Sequence, residues 1–340
     1  MTAGGNASGG ARAARIAGSS LLSVVCLYLA ARGISWAEVW AVLGRTRWLY
    51  VVPMALPALL NVWIRALRWR IFVLAVARVR TETLVSATAI GFAANMLLPL
   101  RAGELIRPWV LARREPIAFA SAVATVALER LFDMATLLFL FSLATFFLPL
   151  PAEWRRYGWV FAATFVLLLA GLVALQRAPE TVIRLLASVL WPFPHGIAQR
   201  ILAIARHFGE GLGSLGSLRA MAGAVALSLG VWLSIALSFG FGLSALALPV
   251  PWFEAALAVT TFVAIAVAIP GGPGFVGMFQ AGCVIALAMY GVEKSVAFSY
   301  SVLTHLVQFA STVALGAYFF LREGLSIRDV GALSEPALRR

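Results

Sequence analysis

Asn95-Met-Leu-Leu-Pro99-Leu-Arg101-Ala-Gly103-Glu104-Leu-Ile-Arg107-Pro108 interrupts an otherwise apolar segment that runs from 84 to 113. Pro99 has no amide hydrogen to donate, and with Gly103 four residues later it breaks any helix passing through this point. Neither half that remains reaches the roughly 20 residues a helix needs to cross a bilayer core. The segment therefore predicts a re-entrant helical hairpin, whose freed backbone groups Asn95 can cap or hydrogen-bond. A second interruption of the same kind, Pro270-Gly271-Gly272-Pro273-Gly274, sits inside the apolar segment 253–290.

The rest of the chain agrees with a membrane setting. Of its 340 residues 62% are apolar and 12% charged, and the mean hydropathy is +0.93. Soluble domains run near 45–50% apolar and about 25% charged, so a soluble globule, a disordered chain, a collagen-like repeat and a disulfide scaffold are all excluded. Apolar runs between breakers predict six full spans, at 16–32, 48–76, 117–148, 157–176, 219–247 and 295–322. The fold expected is thus an all-α polytopic membrane protein of six transmembrane helices and two re-entrant hairpins. It forms one domain over 16–325, with polar tails at 1–15 and 326–340 and an interfacial helical loop at 177–218. Arg12 and Arg15 precede the first apolar run as in a signal sequence, but no small-x-small cleavage site follows, so this run is expected to remain as the first span. Cys26 and Cys283 lie inside apolar runs and read as small core residues.

The net charge is +13, and Lys294 is the only lysine among 27 basic residues. Arginines flanking spans and meeting lipid headgroups account for this better than nucleic acid, which is not expected as a partner. With the N-terminus inside and each hairpin returning to its own side, 20 basic residues fall inside and 6 outside, Arg130 being left out as part of a span. The positive-inside rule then predicts a plasma (inner) membrane protein with both termini cytoplasmic. The unit span–hairpin–span occurs at 48–148 and again at 219–322, with Phe92 and Pro99-x-x-x-Gly103 aligned on Phe262 and Pro270-x-x-x-Gly274 at an offset of about 171. Parity makes the second unit enter from the opposite face. Inverted repeats with paired broken helices are the architecture of secondary transporters, and that architecture is the expectation here.

Ionisable groups inside membrane segments are costly and mark pathways or ion pairs. The first cluster is the opening stretch: Arg101, Glu104 and Arg107 either form a structural salt bridge that pins the hairpin, or present Arg101 or Arg107 to a lipid phosphate with Glu104 positioning it. The second is Glu129-Arg130-x-x-Asp133, half-way along the 117–148 span. Its carboxylates share a helical face and read as partners for Arg101 and Arg107 or as a proton relay. The third is the turn with Gly271, Gly272 and Gly274, which either cradles an anion or is simply tight, followed by Gln280 and faced by His305 and Gln308 of the last span. No histidine stands at metal-ligand spacing, and no HExxH, GxSxG, P-loop or aspartate-rich phosphotransferase pattern occurs, so neither a metal, a cofactor nor an enzymatic activity is expected. His195 and His207 sit in the interfacial loop without evident partners.

In this order, the stretch from Asn95 to Arg107, Glu129-Arg130-Leu131-Phe132-Asp133 and Pro270–Gly274 resemble the flippase-like family named for the lysylphosphatidylglycerol synthase transmembrane region. The terminal span with His305 fits as well. One departure is that Gly277, Met278 and Phe279 stand where many members carry an acidic residue. The resemblance implies a protein that moves, or helps to move, a lipid between leaflets, and the arginines of the first hairpin make a phosphate-bearing lipid, a phospholipid or polyprenyl phosphate, the expected substrate. The alternative is a non-transporting subunit that anchors or regulates a lipid- or glycan-modifying enzyme. The synthetase domain of some members is not expected within 1–340, nor is aminoacyl transfer.

Overall fold

The computed structural model describes residues 4–148, 154–192, 217–269 and 271–326, with isolated positions between 194 and 206 and Asp329. Among these residues the secondary structure is helical, without strands. Five helices are long and apolar enough to span: Trp48–Val73, Phe119–Phe147, Arg156–Arg177, Leu218–Ala245 and Lys294–Arg322. Helix α1 (Gly4–Ala31) covers the expected first span, and after the stretch Ala17–Ala31 the chain bends by 83° into α2 (Trp36–Gly44). Gly33 at φ +77 makes that corner, and the Ser35 hydroxyl accepts from the Glu38 amide to cap α2. With this bent pair counted as one crossing, the protein is a multi-pass α-helical membrane protein of six spans.

After α3 (Val51–Val73) the chain forms the first hairpin from α4 (Thr81–Leu97) and α5 (Gly103–Arg114), joined by a 3₁₀ turn at Pro99–Arg101. Gly91 and Gly103 make the close crossing of its two arms: a Cβ on Gly103 would lie 1.9 Å from the Gly91 carbonyl oxygen. Helices α6 (Phe119–Phe147) and α7 (Trp154–Arg177) follow, packed through Phe139–Phe165 and Phe141–Phe161 ring contacts. After α7, α8 (Pro179–Val189) buries Ile183 and leaves Leu185 and Val189 exposed. Expectations about His195, Arg200 and His207 lie outside the described residues. The second half runs α9 (Leu218–Ala245), α10 (Trp252–Ala268), a 3₁₀ turn at Pro273–Phe275, α11 (Met278–Ala288) and α12 (Lys294–Arg322).

Two pairs of helices in the two halves have equal lengths. Helices α4 and α10 are both 17 residues long and 171 apart in sequence (Thr81 to Trp252). Helices α6 and α12 are both 29 residues long and 175 apart (Phe119 to Lys294). The turns correct the expected register: Pro99–Arg101 answers Pro273–Phe275, 174 apart, so Pro99 pairs with Pro273 rather than Pro270, and Gly103 with Gly277. Both turns place their second and third residues in the left-handed region, Leu100 and Arg101 in one and Gly274 and Phe275 in the other. Helices α3 and α9 run antiparallel. The Arg47 amide donates to the Ala245 carbonyl at one end, the Asn61 amide to the Val231 carbonyl mid-way, and Gly223 meets Ile71 at the other. Small residues at such crossings let backbones approach, which drives helix association where lipid is as apolar as the helix surface.

Candidate functional site

The two hairpin tips meet in the middle of the bundle. The Arg101 guanidinium donates to the Val267 carbonyl of α10 and lies over the Phe275 ring, 5.6 Å from its centre. In return, Gly274 lies against the Met96 carbonyl of α4, 3.3 Å from where its Cβ would be. Leu100, Arg101 and Phe275 hold positive φ without being glycine, a strained geometry that persists only where surrounding packing enforces it.

Behind the first tip lies a charged network. Fully buried Glu129 accepts one hydrogen bond from Arg68 and one from Arg107, both at 2.7 Å. Asp133 accepts from Arg68 at 2.7 Å, Arg130 at 3.1 Å and Arg65 at 3.4 Å. Glu104 pairs with Arg130 at 3.4 Å and Arg101 at 3.5 Å. Arg68 also donates to Ser228, while Arg65 donates to Asn61, whose amide reaches Ser234. Five guanidinium groups thus face three carboxylates in one continuous network.

The network opens onto a cavity of about 380 Å³ between the tips, α3, α6, α9 and α12. Of the residues singled out in the sequence, Asn95, Arg101, Glu104, Arg130, Asp133, His305 and Gln308 line it, and three groups of residues do not. Arg107 is not on the wall: its guanidinium stacks 3.9 Å above the Trp69 ring and holds Glu129 from behind. Of the two roles considered for it, the geometry is that of the structural ion pair. Glu129 likewise sits behind the wall, tied to Arg68 and Arg107.

The glycine turn also faces elsewhere. The Gly272 amide donates to the Ser23 hydroxyl of α1 at 2.7 Å, and a Cβ on Gly277 would fall 2.1 Å from the Ser23 carbonyl. Gly271, Gly272 and Gly274 therefore seat the second hairpin against α1 and the first hairpin and do not line the cavity; Phe275 of that turn does. His305 stacks on Phe279, and its Nδ1 meets the Gln280 amide nitrogen at 2.9 Å, while the Gln280 oxygen accepts from the Gly277 amide.

Sequence reasoning missed Asn61, Arg65 and Arg68. All three were legible as one polar stripe, since spacings of four and three put them on a single face of α3. Arg65 and Arg68 are among the 20 basic residues that the positive-inside reading counts on the cytoplasmic side. They lie buried, as does Arg107, and Arg101 sits at the hairpin tip. Without these four, the inside-to-outside distribution of basic residues becomes 16 to 6. The missed Trp232 carried no signal beyond being an aromatic residue in an apolar span.

Some polar atoms around the cavity have no hydrogen-bond partner within the protein: Nε of Arg101 and Arg130, Nε1 of Trp232 and Nε2 of Gln308. Buried polar groups are nearly always satisfied, so orphaned atoms on residues that line one cavity make it a candidate place for a polar ligand or ordered water.

A 127-residue stretch is 31% identical to glycosyltransferase AglD of Haloferax volcanii, covering 37% of this chain and 20% of that protein's length. No solved structure matches. The family model for the lysylphosphatidylglycerol synthase TM region matches residues 16–316, nearly the whole helical domain with both hairpins and the charged network, and the chain belongs to that family.

Proposed function

We propose that this protein moves a lipid with a phosphate-bearing headgroup between membrane leaflets, the headgroup passing through the cavity at the hairpin tips. The observation that carries this reading is the charge imbalance there: Arg65, Arg101 and Arg130 face Glu104 and Asp133 on the wall, in a network that holds five arginines against three carboxylates and whose Arg68 and Glu129 are fully buried. Uncompensated charge in a low-dielectric interior is costly, and a bound anion relieves it. Exposed Met134 and Ala268 rim the cavity, Met134 lying half-way along α6, so acyl chains can stay in the bilayer while the headgroup enters. We read the two halves as an inverted repeat, supported by their matched element lengths and the antiparallel α3 and α9. In that reading the first hairpin enters from the cytoplasm and the second from outside a plasma membrane, both termini are cytoplasmic, and the touching tips form the barrier between the two sides. In this reading the protein makes and breaks no bonds, and it is supported by Glu129 and Asp133 being engaged by arginines rather than poised as acid or base.

A second reading is favoured by the match to a protein named as a glycosyltransferase: a membrane subunit that supports a lipid- or glycan-modifying enzyme. Translocation of fluorescent phospholipids and polyprenyl phosphate in proteoliposomes separates the two. Transport predicts movement by the wild type and at least about a tenfold loss in Arg101→Gln and Arg130→Gln, from removal of one charge-assisted hydrogen-bond donor each. A folded wild-type protein that moves no phosphate lipid under any ion gradient favours the supporting role.

A further inference from the structure

The two halves contribute different chemistry to the one cavity. At positions 175 apart, α6 supplies Arg130 and Asp133 where α12 supplies His305 and Gln308. At positions 174 apart, the first tip supplies Arg101 where the second supplies Phe275. Every charged side chain on the wall comes from the first half. The second half offers only neutral hydrogen-bonding groups, such as Ser238, Thr260 and Gln308, set among the rings of Trp232, Phe239 and Phe279.

We propose that the headgroup accepted here is a phosphate joined to a neutral, hydroxyl-rich group, as in a lipid-linked phosphosugar. The inference rests on the reading of the cavity as a phosphate-lipid site and names what fills its other half. Trp232 is 9% exposed, yet its indole N–H has no partner; a buried indole N–H normally finds one. The Gln308 amide nitrogen is orphaned on the same wall. A bare phosphate bound by Arg101 and Arg130 leaves both groups unsatisfied and much of the 380 Å³ unfilled, since ligand pockets of this size hold whole small molecules. A cationic extension meets a network that already carries surplus positive charge, and a second anion meets no charged partner in the neutral half. Hydroxyls both donate and accept, so they can satisfy an indole N–H and an amide at once, and the flat rings provide apolar walls for the carbon skeleton between them.

The test is binding to the full chain in detergent, read by ligand-induced thermal shift. The probes are a short-chain polyprenyl phosphate, the same lipid carrying a phosphate-linked hexose, and free hexose 1-phosphate. The glycosylated lipid is expected to bind about tenfold more tightly than the bare lipid phosphate, the gain of hydrogen bonds to two otherwise orphaned donors. Trp232→Phe, which keeps the ring and removes the N–H, and Gln308→Leu should each narrow that ratio, whereas Arg130→Gln should weaken both lipids together. Equal or tighter binding of the bare lipid phosphate overturns the inference while leaving the phosphate-lipid reading intact. Binding of neither lipid overturns both, and free hexose 1-phosphate binding as tightly as its lipid-linked form overturns the lipid as the ligand's source.

Discussion

Glu129→Gln is the most direct test of the charged network, because the change is almost isosteric and removes one charge from its centre. Glu129 is fully buried, and each of its oxygens holds a different guanidinium at 2.7 Å, one from Arg68 and one from Arg107. A glutamine can accept from only one of them and must turn its amide donors towards the other. Its surplus positive charge rises by one in a site with little water. Breaking a buried pair in this way costs about 3–5 kcal/mol, which at about 1.4 kcal/mol per decade lowers the folded-to-unfolded ratio by roughly two to three and a half orders of magnitude.

The partner can be identified by compensation. Glu129→Gln with Arg107→Gln restores the original charge surplus and lets two amides face each other, so part of the loss should return. Glu129→Gln with Arg70→Gln should be additive to within about 0.5 kcal/mol, because Arg70 is exposed on another face of α3 and takes no part in the network. Unfolding in mixed detergent, followed by circular dichroism and by retention of a monodisperse species, reads the wild type, the three single variants Glu129→Gln, Arg107→Gln and Arg70→Gln, and the two double variants. A Glu129→Gln protein within about 0.5 kcal/mol of wild type, or a double variant with Arg107 that loses the full sum, refutes the network as a stabilising unit.

Arg107→Lys keeps the charge but loses the planar group stacked on Trp69, so it should lower stability by about 1–2 kcal/mol and leave lipid movement per folded molecule unchanged; lost transport at full stability would return Arg107 to the pathway. Gly277→Ala should lower the melting temperature more than Gly291→Ala. Both glycines have positive φ, but only Gly277 is packed against the Ser23 backbone, whereas Gly291 has nothing within 4 Å; equal effects would mean that α1 does not lean on the second hairpin. Single cysteines near Arg47 and Lys294 should react with an impermeant reagent from outside and those near Arg80 and Arg322 only after permeabilisation, and the reverse pattern at any one pair removes the opposed entry of the two hairpins.

Hydropathy and breakers made the spans and both hairpins legible, because a helix's need for about 20 apolar residues and a proline's missing donor act locally. The register of the second turn was not legible. Two prolines, Pro270 and Pro273, stand three apart, and only the left-handed pair Gly274–Phe275 shows which one answers Pro99. The site divided in the same way. Arg101, Glu104, Arg130 and Asp133 stood out as charges in membrane segments, and they line the cavity. Arg65 and Arg68 lay close enough to the end of a span to pass for flanking residues, although Asn61 one turn earlier belongs to the same stripe. The roles of the glycines depended on α1, a partner more than 200 residues away in sequence, and no pattern within the turn contains that contact.

The tip contact and the anion site share an atom group, and this links binding to access in the transport reading. One terminal nitrogen of Arg101 donates to the Val267 carbonyl and the other pairs with Glu104, so only its Nε is free in this arrangement. A phosphate bound in the bidentate manner that guanidinium groups favour would need one of those nitrogens as well. If it takes the one on Val267, the polar contact between the two tips is lost at the moment the headgroup arrives. If it takes the one on Glu104, that carboxylate keeps Arg130, and the tips stay latched. The first course couples headgroup binding to separation of the hairpins through a difference in affinity between latched and unlatched states, which is the only way a ligand can shift such an equilibrium. The backbone adds to the same balance, since strained φ at Leu100, Arg101 and Phe275 is held by the contacts the tips make, and parting them removes what enforces it.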